Sequence, residues 1–400
     1  MLRRTLTVAL QILFPFILLA QSSEIQDADE NAKDLHDAIQ QIFHKKTSTA
    51  DSTSRHHHIR IGVLPAVGYT LQTGFAVVVS ANMVVYKRRK KDNILPSTVI
   101  ASISYTQKSQ IIFPFQSVIY LRHNRAMLLS DWRFLKYPSV TYGLGIHSKL
   151  ANENLLDFKY LKFHESVLFQ LAPNIYAGGG YSLDYFWKVR EVFPHVTPVT
   201  DFEKYGYMDH TISSGVMFHL LRDTRDNPIN AYSGTFANIS INPRFKFLGS
   251  DANWNSLRLE WRGYFRFPAS SSNIVALWSY NWFTLGGRPP YLMLPSTGWD
   301  KSYNTGRGYI QGRFRSNNML DGEAEYRIRL TKNGLLGMVL FGNLESFSEI
   351  NTCRFESAAP AGGLGLRIKL NKYSRTNISI DYGWGREGSR GFFVNLGEIF

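Results

Sequence analysis

The chain has 400 residues, enough for two soluble domains or for one large barrel. Aromatic residues make up 14% of it, heavy for an ordinary soluble domain and suited to lipid-facing girdles. The formal net charge of +14 admits a nucleic-acid partner or an anionic membrane surface, but Lys and Arg are spread over turns and single strand faces, which argues against nucleic acid, and the lone Cys353 excludes an intrachain disulfide.

Residues 1–20 read as a secretory signal. Arg3 and Arg4 supply the charged start, Thr5 to Leu19 is mostly apolar, and Ala20 offers a small-residue cleavage site. Pro15 and the lack of a stop-transfer flank argue against an uncleaved anchor, and no cysteine follows to take a lipid. Beyond this segment no run of about 18 apolar residues occurs, so helical membrane spans are not expected. Residues 21–59 differ from the rest. Glu24 to Lys46 is polar with Leu35, Ile39, Ile42 and Phe43 on one helical stripe. A Ser/Thr linker, Thr47 to Ser54, and His56 to His58 follow. The stripe suits a short periplasmic plug or lever, a helix lying on a membrane, or pairing with a second copy. Adjacent histidines on a flexible segment lack a fixed supporting shell, so no metal and no cofactor are expected.

From Arg60 onward the pattern is strand, turn, strand. Side chains in a strand alternate between faces. In Gly74 to Tyr86 the odd positions from Phe75 to Val85 are apolar. In Ser256 to Phe267, Leu257, Leu259, Trp261, Phe265 and Phe267 oppose Arg258, Glu260, Arg262 and Arg266. Strands are placed near 60–70, 74–86, 96–106, 110–122, 125–137, 156–171, 174–190, 208–220, 233–246, 253–268, 273–287, 318–331, 334–348, 360–371, 376–386 and 391–400. The even count of sixteen lets an antiparallel barrel close with both ends on one side, which removes the unpaired edges that lipid cannot satisfy. The expectation is an all-β fold, a 16-stranded antiparallel transmembrane barrel over 60–400. A propeller or sandwich would need a repeat, and none is seen. Long connections at 138–155, 191–207, 288–317 and 349–359 follow odd-numbered strands, which puts them together at one end. Lys87 to Lys91 is a dense basic turn, solvated or touching acidic lipid head groups.

The strand after the longest connection carries the strongest pattern. Glu323, Glu325, Arg327 and Arg329 alternate with Gly322, Ala324, Tyr326 and Ile328. One face holds four charges and the other is small or apolar, which suits a wall between lipid and a charged lumen. Arg307-Gly308-Tyr309 just before it is a candidate plug. No Gly-x-Ser-x-Gly, His-Glu-x-x-His or phosphate loop occurs. Asp209 and His210 are adjacent and would point to opposite faces, so no enzyme is expected. The last strand ends on Phe400, with Glu398 breaking the alternation.

Four motifs together resemble the outer-membrane BamA/TamA/FhaC (bacterial surface antigen) superfamily of assembly factors and two-partner secretion barrels. They are Asp223-Thr-Arg-Asp-Asn-Pro228 with Gly234, the Arg307-Gly308-Tyr309 loop, Glu325-Tyr326-Arg327, and Gly363-Leu-Gly-Leu-Arg367. The resemblance spans about 60–400, the barrel alone; residues 21–59 are too few for one of the family's periplasmic POTRA domains, so a reduced branch is expected. The resemblance implies an inward-folded loop in which Arg307 docks on Glu325, Arg327, Asn343 or Glu345 of the lumen wall. The family often has an aspartate on the thirteenth strand; this chain has Phe341-Gly-Asn343 there. The turn motif is carried by Asp223, Arg225, Asp226 and Gly234. A lateral seam is implied between the first and last strands, at Pro65, Gly391, Gly397 and Phe400, with Pro65 unable to donate to a ladder. A terminal aromatic such as Phe400 resembles the family's assembly mark.

The resemblance implies a protein of the bacterial outer membrane that aids insertion or translocation of proteins or lipid. Its partners would be outer-membrane lipid, client barrels, or periplasmic proteins reached through residues 21–59. The alternatives are a passive porin, with Arg258, Arg262, Arg266, Arg327, Arg329 and Arg367 tuning anion preference, or a structural surface protein with a partner-binding N-terminal segment.

Overall fold

The computed structural model describes residues 33–35, 37, 59–85, 97–192, 199–372 and 374–400. The expected signal segment, the Lys87 to Lys91 turn, His56 to His58 and most of the expected N-terminal helix lie outside them. Among the described residues no helix is long and apolar enough to cross a membrane.

Sixteen antiparallel staves form the wall. They are β1 (Ile59–Thr70), β2 (Gly74–Val85), β3 (Ser97–Thr106), β4 (Ile111–Leu121), β5 (Ala126–Lys136), β6 (Asn154–Ala172), β7 (Ile175–Glu191) and β8 (His210–Asp223). The second half comprises β9 (Gly234–Arg244), β10 (Trp254–Arg266), β11 (Ile274–Gly287), β12 (Asn318–Arg329), β13 (Leu336–Phe347), β14 (Ala359–Asn371), β15 (Thr376–Trp384) and β16 (Arg390–Leu396). A further three-residue strand, Ser139–Thr141, continues β5 against the same neighbour, β6. Each stave pairs with the next in sequence, for example Glu323 opposite Asn343 and Gly365 opposite Asp381. The expected strand set therefore describes the wall, with one correction at its end. The last strand stops at Leu396 rather than Phe400, because Gly397 adopts φ +110 and turns the chain away.

The outer face is apolar. Phe75 and Val77 on β2 are exposed, while Ala76 and Ser80 between such positions are buried. Trp132 stacks on Phe115 and Phe163, at 4.9 and 5.2 Å, as part of an outward aromatic patch. The inner face carries charge: Asp184, Arg244, Glu323, Glu325, Arg367 and Asp381 are all buried. This is an inside-out distribution for a soluble domain and the expected one for a barrel in lipid.

The long connections crowd one end of the barrel. A short helix, α1 (Asp201–Gly206), is capped by Thr200, whose side chain accepts from Glu203 N–H, and it buries Phe202 against Tyr291 at 5.1 Å. With Leu135, Phe158, Phe186, Trp254 and Leu294, these residues form an apolar cluster inside the long-loop end. A second cluster centres on Trp278, Tyr309, Phe314 and Phe347. Burying aromatic area there supplies the adhesion that keeps the connection 288–317 inside the barrel.

The ends of the wall meet but are not laddered. β1 and β16 run alongside each other, and a Cβ added at Gly68 of β1 would lie 3.3 Å from the Val394 carbonyl of β16. Backbone ladders link every other neighbouring pair, yet none links β1 to β16 among the described residues.

Candidate functional site: the luminal arginine dock

The connection 288–317 enters the barrel because its polar groups find partners there. Ser296 and Arg315 form an isolated bridge, Thr297 N–H donates to Phe314 C=O at 3.1 Å, and Gly312 N–H donates to Thr297 C=O at 2.9 Å. The loop is thus a closed hairpin-like unit. Asp300 organises its far end by accepting from the N–H groups of Ser302, Asn304 and Thr305.

Arg307 projects from this unit into the charged wall and is 2% exposed. Its Nη2 lies 2.6 Å from Glu325 Oε1 and 3.3 Å from Glu323 Oε2, and its Nη1 lies 2.9 Å from Asp381 Oδ2. The guanidinium also sits 3.9 Å above the Phe341 ring. A planar, permanently charged fork can satisfy three carboxylates and one π face at once, and a lysine cannot. Asn343 donates from Nδ2 to the Arg307 carbonyl at 2.8 Å, and Gly306 N–H donates to Glu323 Oε1 at 3.0 Å.

The flanking residues are fitted just as closely. Gly308 has φ +108, and a Cβ there would lie 2.9 Å from Ala361 Cβ and 3.1 Å from the Trp384 backbone. It is therefore glycine for two reasons, backbone conformation and close approach to β14 and β15. Tyr309 is buried, donates to Pro360 C=O at 2.7 Å and accepts from Arg386 N–H at 2.9 Å.

The dock extends into a network. Arg327 Nε pairs with Glu325 Oε2 at 2.7 Å. Arg367 pairs with Asp381 at 2.5 Å and with Glu398 at 2.8 Å. Glu398 belongs to the last four residues, which turn into the lumen instead of lining the seam. Phe400 is buried, its ring lies 5.2 Å from that of Trp278, and its carbonyl accepts from Arg327 Nη2 at 2.9 Å. Asn304 of the loop donates to Ile399 C=O at 2.9 Å. Phe400 as a seam residue is thus corrected: Arg327, Trp278 and the loop draw it inward once Gly397 has turned the chain.

The sequence-derived partners divide as follows. Glu325 contacts Arg307 directly, Asn343 holds its backbone, and Arg327 acts one step away through Glu325. Glu345 instead accepts from the Thr297 hydroxyl at 2.9 Å, in the same loop. Two partners of Arg307 were missed. Glu323 stands on the charged face already noted on that strand. Asp381 stands on the polar face of Thr376 to Gly385, but nothing local says that a strand three staves away reaches the same point. Asp381, not a residue of β13, supplies the extra carboxylate.

The turn motif forms a unit at the short-turn end. Arg225 pairs with Asp223 at 2.7 Å, Asp226 Oδ1 accepts from the N–H groups of Tyr232 and Ser233, and Arg375 pairs with Asp226 at 2.5 Å. Gly234 has φ +95, and a Cβ there would run into the Thr224 carbonyl. At the seam, Pro65 lies opposite Val79 in the β1–β2 ladder, and a Cβ on Gly391 would collide with the Leu71 side chain.

No protein-family model matches the chain, and no curated protein matches it. Solved structures do. The chain is similar to BamA from Haemophilus ducreyi lacking POTRA domains 1–3, with a TM-score of 0.54 and 15% identity over 86% of this chain and 69% of that one. It is also similar to CdiB from Acinetobacter baumannii, with a TM-score of 0.53 and 11% identity over 86% of this chain and 60% of that one. The chain thus spans less than two thirds of the length of CdiB. Together with the sixteen staves and the inward loop, these likenesses establish that the chain has the transmembrane β-barrel fold seen in BamA and CdiB.

Proposed function

We propose that the protein is an outer-membrane barrel of the BamA/TamA/FhaC superfamily that aids insertion or translocation of proteins or lipid. In this reading residues 1–20 export it and residues 21–59 lie in the periplasm, where they meet partners. The observation that carries the reading is the pairing of a fixed plug with an unladdered seam. The plug blocks passive flow, because three carboxylates of β12 and β15 hold Arg307. The seam leaves the β1 and β16 edges without ladder partners among the described residues. An unpaired strand edge is the template to which another strand adds, and here it faces lipid. A passive porin is disfavoured by the same plug.

The test locks the seam. In a Cys353→Ser background, Gly68→Cys and Val394→Cys are introduced and oxidised. Insertion of a test barrel into liposomes containing the locked protein is expected to stop and to return on reduction. Equal insertion by the oxidised and reduced forms would overturn the gate. The N-terminal segment also contacts the barrel itself. Lys372 donates to Asp37 Oδ2 at 2.8 Å and, through its N–H, to Asp34 Oδ2 at 3.2 Å, which ties that segment to the short-turn end.

A further inference from the structure

The arginine dock sits on the side of the lumen formed by β12 to β15. Across from it lies a cavity of about 390 Å³, walled by β3 to β11 and by residues 292–303 of the loop. We propose that this chamber is a binding site for a small organic phosphate, gripped between Arg258 and Lys301.

The argument is a charge balance. Every carboxylate lining the chamber is already engaged. Asp131 pairs with Arg133 and Lys162, both at 2.7 Å. Asp184 takes His164 and Arg244, at 2.9 and 2.7 Å. Asp223 holds Arg225 and Glu260 holds Arg262, and Asp300 is occupied by backbone N–H groups. Two lining cations are left over. Among the described residues the Arg258 side chain has neither an ion pair nor a hydrogen bond, and its Nε is shielded from solvent without a partner. Its guanidinium lies 4.3 Å over the Trp282 ring. Lys301 uses its backbone carbonyl to accept from Arg133 Nη2 at 2.6 Å, which fixes the residue, while its ammonium forms no ion pair among the described residues. Both side chains line the same chamber, Arg258 from β10 and Lys301 from the loop.

Two uncompensated cations in a confined space call for a ligand of about two negative charges, and a flat arginine fork matches phosphate oxygens. The Trp282, Tyr280 and Phe236 rings lining the same chamber would cover the organic part. The ligand chemistry could come from a soluble sugar phosphate or from the head group of a phospholipid.

The test is isothermal titration calorimetry on the detergent-purified protein. The probes are glucose 6-phosphate, dihexanoyl phosphatidic acid and, as the neutral control, glucose. A phosphate probe is expected to bind while glucose does not, with at least a tenfold loss of affinity in Arg258→Gln and in Lys301→Gln. Glucose 6-phosphate alone binding assigns a soluble ligand, and phosphatidic acid alone assigns a lipid head group. No binding by either, or binding unchanged in both variants of unaltered melting temperature, would overturn the proposal.

Discussion

At the scale of single residues, the dock rests on charge that cannot be left alone. Arg307, Glu323, Glu325 and Asp381 are each at most 1% exposed at the side chain. Removing one member of a buried ionic cluster costs about 3–5 kcal/mol, because the others stay charged and unpartnered. Arg307→Ala is therefore expected to lower the temperature at which the folded, fast-migrating band disappears in a heated gel. Arg307→Lys should recover only part of the loss, since a point charge cannot span three carboxylates. Gly308→Ala is expected to cost more than about 1 kcal/mol through its positive φ alone, and more again because its Cβ would meet Ala361 and the Trp384 backbone. If Arg307→Ala and Gly308→Ala both melt like the wild type, the loop does not dock as described.

At the scale of elements, the period-two pattern made the wall readable. Each stave alternates a lipid-facing and a luminal residue, and that alternation is local information. What crosses between elements was not readable. Asp381 shows a polar face in the sequence, but its meeting with Arg307 depends on the register of four staves and the shear that closes the barrel. The C-terminal tail shows the same limit. Glu398 broke the strand pattern because it has left the strand to bond Arg367 at 2.8 Å, while Phe400, suited by type to lipid, packs on Trp278. Glu398→Gln should cost about 1.5–3 kcal/mol, the value of a hydrogen bond to a charged group. Deleting 397–400 should cost more, because Arg327 also loses the Phe400 carbonyl. Equal melting of the two variants and the wild type would mean that the tail is a passenger.

At the scale of the whole molecule, the lumen is divided. The loop and the tail dock on β12 to β15, and the loop also walls a chamber lined by β3 to β11. Aromatic clusters around Tyr291 and Phe314 pack inside the barrel. The seam, by contrast, lacks a ladder among the described residues. We propose that the loop is a resident plug whose dock keeps the lumen shut. This proposal is tested most directly by single-channel conductance in planar bilayers, with the wild type beside a deletion of residues 288–317. A silent wild type and a wide, steady conductance in the deletion are predicted. A large wild-type conductance that the deletion barely changes would contradict the plug and make the protein a porin.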